Sequence, residues 1–309
     1  IQGNTVVFVC ESDLWKVDLS GGEAVRITNT KGENLNPCLS PDGNLIAYAS
    51  SAEGHPEIFV LDLLGGTPRR LTFLGSRCIP TGWSKDGKSI YFVSNFEAPF
   101  ETFPYEISLF GGEPQKLPYG PCTKISMEQN VVVIGRHAGD PARWKRYKGG
   151  TAGEFWIRAK TKAPFKKILE NLKGNITCPM LANNRLYFLS DHEGVGNLYS
   201  CNYTGENVKK HTDHHEYYAR NATTDGKNII YHAGGDLFYF QIASQKTNTI
   251  KLDFTSTREK SNRKFIQASD YLQEVDLNCN GTHLCLTTRG KLFSFANWSG
   301  AVIQHGKTD

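Results

Sequence analysis

DLWKVDLSGGEAVRIT, residues 13 to 28, returns as EIFVLDLLGGTPRRLT at 57 to 72 and as YEISLFGGEPQKL at 105 to 117. The Gly-Gly pairs begin at 21, 65 and 111, a period of 44 and then 46 residues. In each copy a run rich in β-branched and aromatic residues reads as a strand. The glycine pair then supplies the positive φ that a tight reversal requires and that other residues adopt only under strain. Weaker copies follow as EFWIRAKTKAPFKKIL (154 to 169), NLYSCNYTGENVKKHT (197 to 212), DLFYFQIASQKTNTIKL (236 to 252) and KLFSFANWSGAVIQ (291 to 304), seven in all.

Upstream of most copies lies a second hairpin with its own turn chemistry: CLSPDGNLIAYAS (38 to 50), GWSKDGKSIYFVS (82 to 94), NATTDGKNIIYHAG (221 to 234) and LNCNGTHLCLTTRG (277 to 290). Asp-Gly or Asn-Gly marks each reversal, and Pro41 presets φ in the first. Two hairpins make a four-stranded unit, a-b-c-d. Units of this length that bury neither face alone, repeated around an axis, predict an all-β fold, a β-propeller of antiparallel blades. The b-c-d set occurs seven times but an inner a strand is legible only six times, because VVFVC at 6 to 10 is already a b strand. The reading is a six-bladed ring over 1–253, a connector over 254–271 and an extra blade over 272–309 that begins a second ring, with one seven-bladed ring as the alternative.

Composition removes other classes. A chain of 309 residues with 39% apolar residues, 30 Gly, 5 Trp, 13 Tyr, 17 Phe and only 2 Met fits a strand-rich globular protein and excludes disorder. Its longest apolar runs, such as VVVIG at 131 to 135, are too short for a membrane helix, so no membrane partner is expected. A net charge of +4 is too small to argue for nucleic acid. Eight cysteines at 10, 38, 78, 122, 178, 201, 279 and 285 form no C-x-x-C pair and sit beside strand-like runs, which points to buried thiols in a reducing compartment. Five Asn-x-Ser/Thr sequons, at Asn175, Asn202, Asn221, Asn280 and Asn297, are the contrary sign, and the absence of a leader before Ile1 leaves secretion open.

The S-P-D-G turn at 40 to 43, followed by LIAYAS, resembles the PD40 repeats of TolB-like, WD40-like propellers. GDPARWKRYKGGTAG (139 to 153), SDHEGVGNLYSC (190 to 201), HTDHHEYYARNATTDG (211 to 226) and TTRGKLF (287 to 293) are together similar to the N-terminal propeller of the tricorn family of serine peptidases, nearly end to end. The resemblance implies a six-bladed ring before a seven-bladed one, with a PDZ-like module and the catalytic Ser and His in later domains. It implies proteolysis of short peptides in the cytoplasm by a large homo-oligomer, whose first propeller is a peptide channel or filter. The family's paired arginines of the second blade are matched at 74 to 87 by Arg77 alone, a departure from the pattern.

No G-x-S-x-G elbow, H-E-x-x-H helix, P-loop or dinucleotide fingerprint occurs, so neither catalytic residues nor a cofactor is expected in this chain. Two clusters stand out. The 17 residues from 137 to 153, between strands b and c, carry Arg143, Trp144, Lys145, Arg146, Tyr147 and Lys148. In a propeller the b-c and d-a connections share one rim, so these residues, with Arg77, Arg136, the loop 95 to 103 (NFEAPFETF) and the loop 211 to 218, are expected together as a rim binding peptides or the remaining domains of the same polypeptide. The plainer reading has Trp144 and Tyr147 pinning a long loop with its cations solvated. His211, Asp213, His214 and His215 are ligand-type residues without a fixed metal spacing, and read better as a polar turn than as a metal site. A free-standing TolB-like interaction module and the propeller of a prolyl-oligopeptidase-type hydrolase are the alternative functions.

Overall fold

The computed structural model describes residues 1–139, 145–258 and 267–306. The chain divides into two compact units, Ile1–Thr255 and Ser256–Asp309. In the first unit, β1 (Thr5–Cys10), β2 (Asp13–Asp18) and β4 (Val25–Arg26) form a three-stranded sheet, with β3 (Gly22–Glu23) in the turn between β2 and β4. The second sheet runs in order β5 (Asn34–Leu39), β6 (Leu45–Ser50), β7 (Glu57–Asp62) and β8 (Arg69–Arg70). Four more sheets of the same up-and-down order begin at the inner strands Cys78–Trp83, Lys124–Glu128, Ile176–Ala182 and Arg220–Thr224. The turns behave as their residues require: Gly21, Gly65 and Gly111 have φ of 93°, 103° and 89°.

Side chains alternate along a strand, so a strand covered on both faces must be apolar at nearly every position. β6 shows the consequence: Ile46 and Tyr48 pack on Leu14 of the first sheet, while Ala47 packs toward Phe92 and Tyr105 of the third. Ile79 and Val93 join the third sheet to Ile125 and Val132 of the fourth. Val133 and Phe155 of the fourth meet Leu186 and Phe188 of the fifth, and Tyr187 and Leu198 of the fifth meet Ile229 and Tyr231 of the sixth. Finally Ile230, Leu237 and Ile250 of the sixth sheet pack on Val6 and Val17 of the first. Each large side chain buried in these seams stabilises the unit by about 1.5–3 kcal/mol.

The contact between sixth and first sheets has a main-chain clasp. Leu252–Asp253 pairs in parallel with β3; Gly22 N–H donates to the Lys251 carbonyl at 3.0 Å and Ala24 N–H to that of Asp253 at 2.9 Å. Phe254 then lies with its ring 4.5 Å from Trp15.

Two devices recur. Inner strands carry Pro37, Pro80 and Pro179, residues without an N–H that a sheet tolerates at an edge or bulge. Register breaks fall there, between Leu35 and Cys38 and between Thr177 and Met180. The second device locks the start of strand c to the d-a connection. Asp13 accepts from Arg26 Nη2 at 2.6 Å and from Thr28 Oγ1 at 2.9 Å, and Thr28 Oγ1 accepts from Leu14 N–H at 2.9 Å. Glu57, Arg70 and Thr72 repeat the arrangement, with Thr72 Oγ1 accepting from Ile58 N–H at 2.8 Å. In the fifth sheet Asn197 Oδ1 replaces the carboxylate, accepting from Thr212 Oγ1 at 2.8 Å and His214 N–H at 2.7 Å. Asp13, Glu57 and Asn197 are all buried, so leaving them unbonded would be costly.

The second unit holds one four-stranded antiparallel sheet, Leu272–Leu277, His283–Thr288, Lys291–Ala296 and Ile303–His305.

Candidate functional site

The basic loop of the fourth sheet is anchored through its main chain. Arg146 sits at φ 56°, and its N–H donates to Asp191 Oδ2 at 2.6 Å. Asp191 follows the b strand of the fifth sheet and is fully buried. Its other oxygen accepts from Asn175 N–H at 2.7 Å. Tyr218, in the connection from fifth to sixth sheet, lies 3.5 Å from the same carboxylate and donates to the Gly194 carbonyl at 3.0 Å. Burial pushes the Tyr218 phenol up, and the Asp191 charge adds to it. Lys145 Nζ lies over the Tyr218 ring, 5.4 Å from its centre. The side chain of Arg146 remains exposed.

Two glycines make this packing possible. A Cβ on Gly196 would stand 2.7 Å from the Tyr218 ring, and one on Gly234 would stand 2.6 Å from the Tyr217 ring. The result is an open cleft of about 330 Å³ lined by Lys145, Glu216, Tyr217, Tyr218, Arg220 and His232. Arg220 and His232 are directly opposed across two antiparallel strands, which puts both on one face of the sixth sheet.

The structure thus brings Lys145 and Arg146 together with the 211–218 connection. Tyr147 is half-buried, and its phenolic oxygen accepts from Thr151 Oγ1 at 3.1 Å. Arg136 lies over Trp156, its guanidinium 5.3 Å from the ring. Arg77 is exposed in the connection from second to third sheet, and in the 95–103 loop Glu97 pairs with Lys116 at 2.5 Å while Phe100 is exposed. Arg143 and Trp144 lie outside the described residues. Asp191 and Tyr218 went unrecognised as the hub of this rim. The signal was a charged residue placed directly after the apolar strand RLYFLS.

The histidine cluster is distributed over several partners. His211 Nε2 is 2.7 Å from Ser200 Oγ, and His214 Nε2 is 3.0 Å from Tyr231 Oη. Asp213 pairs with Lys210 at 2.8 Å and with His215 at 3.1 Å; the Lys210 bond holds its carboxyl below the usual range. Burial lowers the pKa of His192, His211 and His214. Among the described residues no three His, Cys, Asp or Glu side chains gather as a metal site. The Ser200–His211 pair offers no reachable nucleophile: Ser200 is fully buried and its Oγ also accepts from Arg185 Nε at 3.0 Å. All eight cysteines are free, and burial pushes the thiols of Cys78, Cys122 and Cys201 up to about 12. No helix among the described residues is long and apolar enough to cross a membrane.

Comparison with known proteins gives these sheets a context. The family model described as "Tricorn protease N-terminal beta propeller domain" matches residues 1–246. A tricorn protease homolog of Saccharolobus solfataricus is 34% identical over 99% of this chain, which spans 29% of that protein. The tricorn protease of Thermoplasma volcanium is 32% identical over 99% of this chain and 30% of its own length. A crystal structure of the tricorn protease superposes with a TM-score of 0.81 at 28% identity, covering all of this chain and 31% of that one. The chain therefore spans less than a third of the relatives it matches. With sheets that pack each on the next, a propeller match over most of its length and relatives at about a third identity, this chain belongs to the tricorn protease family, as a β-propeller of the family's N-terminal type.

Proposed function

We propose that this propeller is the non-catalytic part of a tricorn-like serine peptidase, a ring of six blades that gates or channels short peptides to or from an active site elsewhere in the full protein. The observation that carries the reading is the share of the relatives that the chain spans: under a third of a protease, matched as its N-terminal propeller. The packing of the sixth sheet on the first supports a ring of six, with residues 272–309 as the first blade of a second. The rim of Lys145, Arg146 and the 217–220 segment would face peptides or the remaining domains, because exposed cations on a main-chain anchored loop suit carboxylate recognition. Free thiols suit the cytoplasm, and a homo-oligomeric assembly follows the family pattern.

The test uses the complete protein. Thr223→Trp, at an exposed inner-strand position, should lower kcat/KM for longer peptides and spare a dipeptide-sized substrate. Equal effects on both would remove the channel, and hydrolysis by a rigorously purified sample of this chain alone would remove the non-catalytic role.

A further inference from the structure

Between Phe155 and Ser190 the chain carries seven Lys and Arg and one acid, Glu170, although the whole chain is nearly balanced at 35 against 31. Three of the seven cations are engaged. Lys167 pairs with Glu154 at 2.6 Å, Arg185 donates to Ser200 Oγ and to the Asn207 carbonyl, and Arg158 lies over the rings of Tyr119 and Phe165. Lys160, Lys162, Lys166 and Lys173 are exposed, and none of the four has an ion pair among the described residues. The fold does not require them: the place of Lys166 in the outermost strand is taken by Val25 in the first sheet and by Gln115 in the third.

Topology puts the four on one edge. Lys166–Ile168 is the last strand of the fourth sheet and pairs on its inner side with Glu154–Arg158. Lys160 and Lys162 lie in the turn that enters this strand and Lys173 in the connection that leaves it, so the lysines follow the edge over roughly 16 Å, the length of a five-residue strand. Ile168 is buried, and on the outer side no strand pairs with Lys166–Ile168 among the described residues. Such an edge admits a further strand. Charge selects which one. Two copies of this chain paired edge to edge would set Arg69–Arg70, Lys166–Lys167 or Lys209–Lys210 against one another, whereas a strand rich in carboxylates meets cations. A polypeptide also brings both the N–H and the C=O groups that a sheet edge bonds, while a phosphate backbone only accepts. We propose that the outer edge of the fourth sheet is an interaction surface for an extended acidic segment of a separate partner protein, added alongside Lys166–Ile168 with its carboxylates at Lys160, Lys162, Lys166 and Lys173.

The test uses the complete protein and a fluorescent peptide of alternating Glu and Val, with its Gln-Val analogue as the neutral control. The acidic peptide should bind at low salt, slow amide exchange within Lys166–Ile168, and bind at least roughly tenfold more weakly to the triple variant Lys162→Glu, Lys166→Glu, Lys173→Glu. An equal charge change at exposed positions elsewhere, Lys31→Glu, Lys85→Glu, Lys88→Glu, should leave binding as in the parent. Absence of binding, equal weakening by the two triple variants, or equal binding of the Gln-Val peptide would overturn the proposal. So would tighter binding of a single-stranded DNA oligonucleotide that the first variant abolishes, which would make the partner a nucleic acid, or a fall in assembled mass in that variant alone, which would make it a second copy.

Discussion

Gly21 and Gly65 occupy the same place in successive repeats, with φ of 93° and 103°, yet replacing each by Ala should have different consequences. Both substitutions impose a backbone conformation foreign to an L residue, at about 1–3 kcal/mol. At Gly65 that is the whole effect, because nothing lies within 4 Å of an added Cβ. At Gly21 the Cβ would stand 2.6 Å from the Lys251 carbonyl oxygen, the acceptor of the Gly22 N–H bond in the clasp. Relief requires Leu252–Asp253 to move off β3, which loses two main-chain hydrogen bonds at about 1 kcal/mol each and the Trp15–Phe254 contact at about 0.5–1.5 kcal/mol. Gly21→Ala should therefore destabilise the first unit by about 2–4 kcal/mol more than Gly65→Ala. In thermal unfolding followed by circular dichroism this is roughly 5–15 °C of additional Tm loss. Amide exchange at Gly22 and Ala24 should rise in Gly21→Ala alone. Equal losses for the two variants would refute the view that the clasp helps to hold the sixth sheet to the first.

Three further expectations use other parts of the structure. Asp13→Ala removes the acceptor shared by Arg26, Thr28 and Asn34, and chemical denaturation should report a loss of about 3–5 kcal/mol. Asp191→Ala frees the N–H groups of Arg146 and Asn175, which should cost about 2–4 kcal/mol and speed Arg146 exchange, whereas the exposed pair Lys145→Ala and Arg146→Ala should stay within about 0.5 kcal/mol of the parent. His192, His211 and His214 have pKa values lowered by burial, so the unfolded chain binds protons more readily below its own value of about 6.5. Their stabilising contribution is present above that pH and is lost as the pH falls through the lowered folded values; urea midpoints should drop over that range, and His211→Gln should flatten the slope.

The buried lock at the start of strand c shows how far the sequence could be read. Asp13, Arg26 and Thr28 share their spacing with Glu57, Arg70 and Thr72, and with Asn197, Lys210 and Thr212. The pattern is present in the quoted repeats, but an acid or amide followed thirteen residues later by a base has no local meaning. It acquires one only when strand d folds back on strand c and brings the two ends together.

The amino-acid sequence alone specifies the repeat, the turns and the strand alternation, because glycine φ and apolar periodicity are properties of a few neighbouring residues. It also carried the family resemblance, through motifs spread over the chain. Tertiary structure alone decided that Asp191 would gather Arg146, Asn175 and Tyr218 from three connections, and that Lys251 would meet Gly21. Those contacts join residues far apart in the chain, and their geometry is fixed by the packing of whole sheets, which no local pattern encodes.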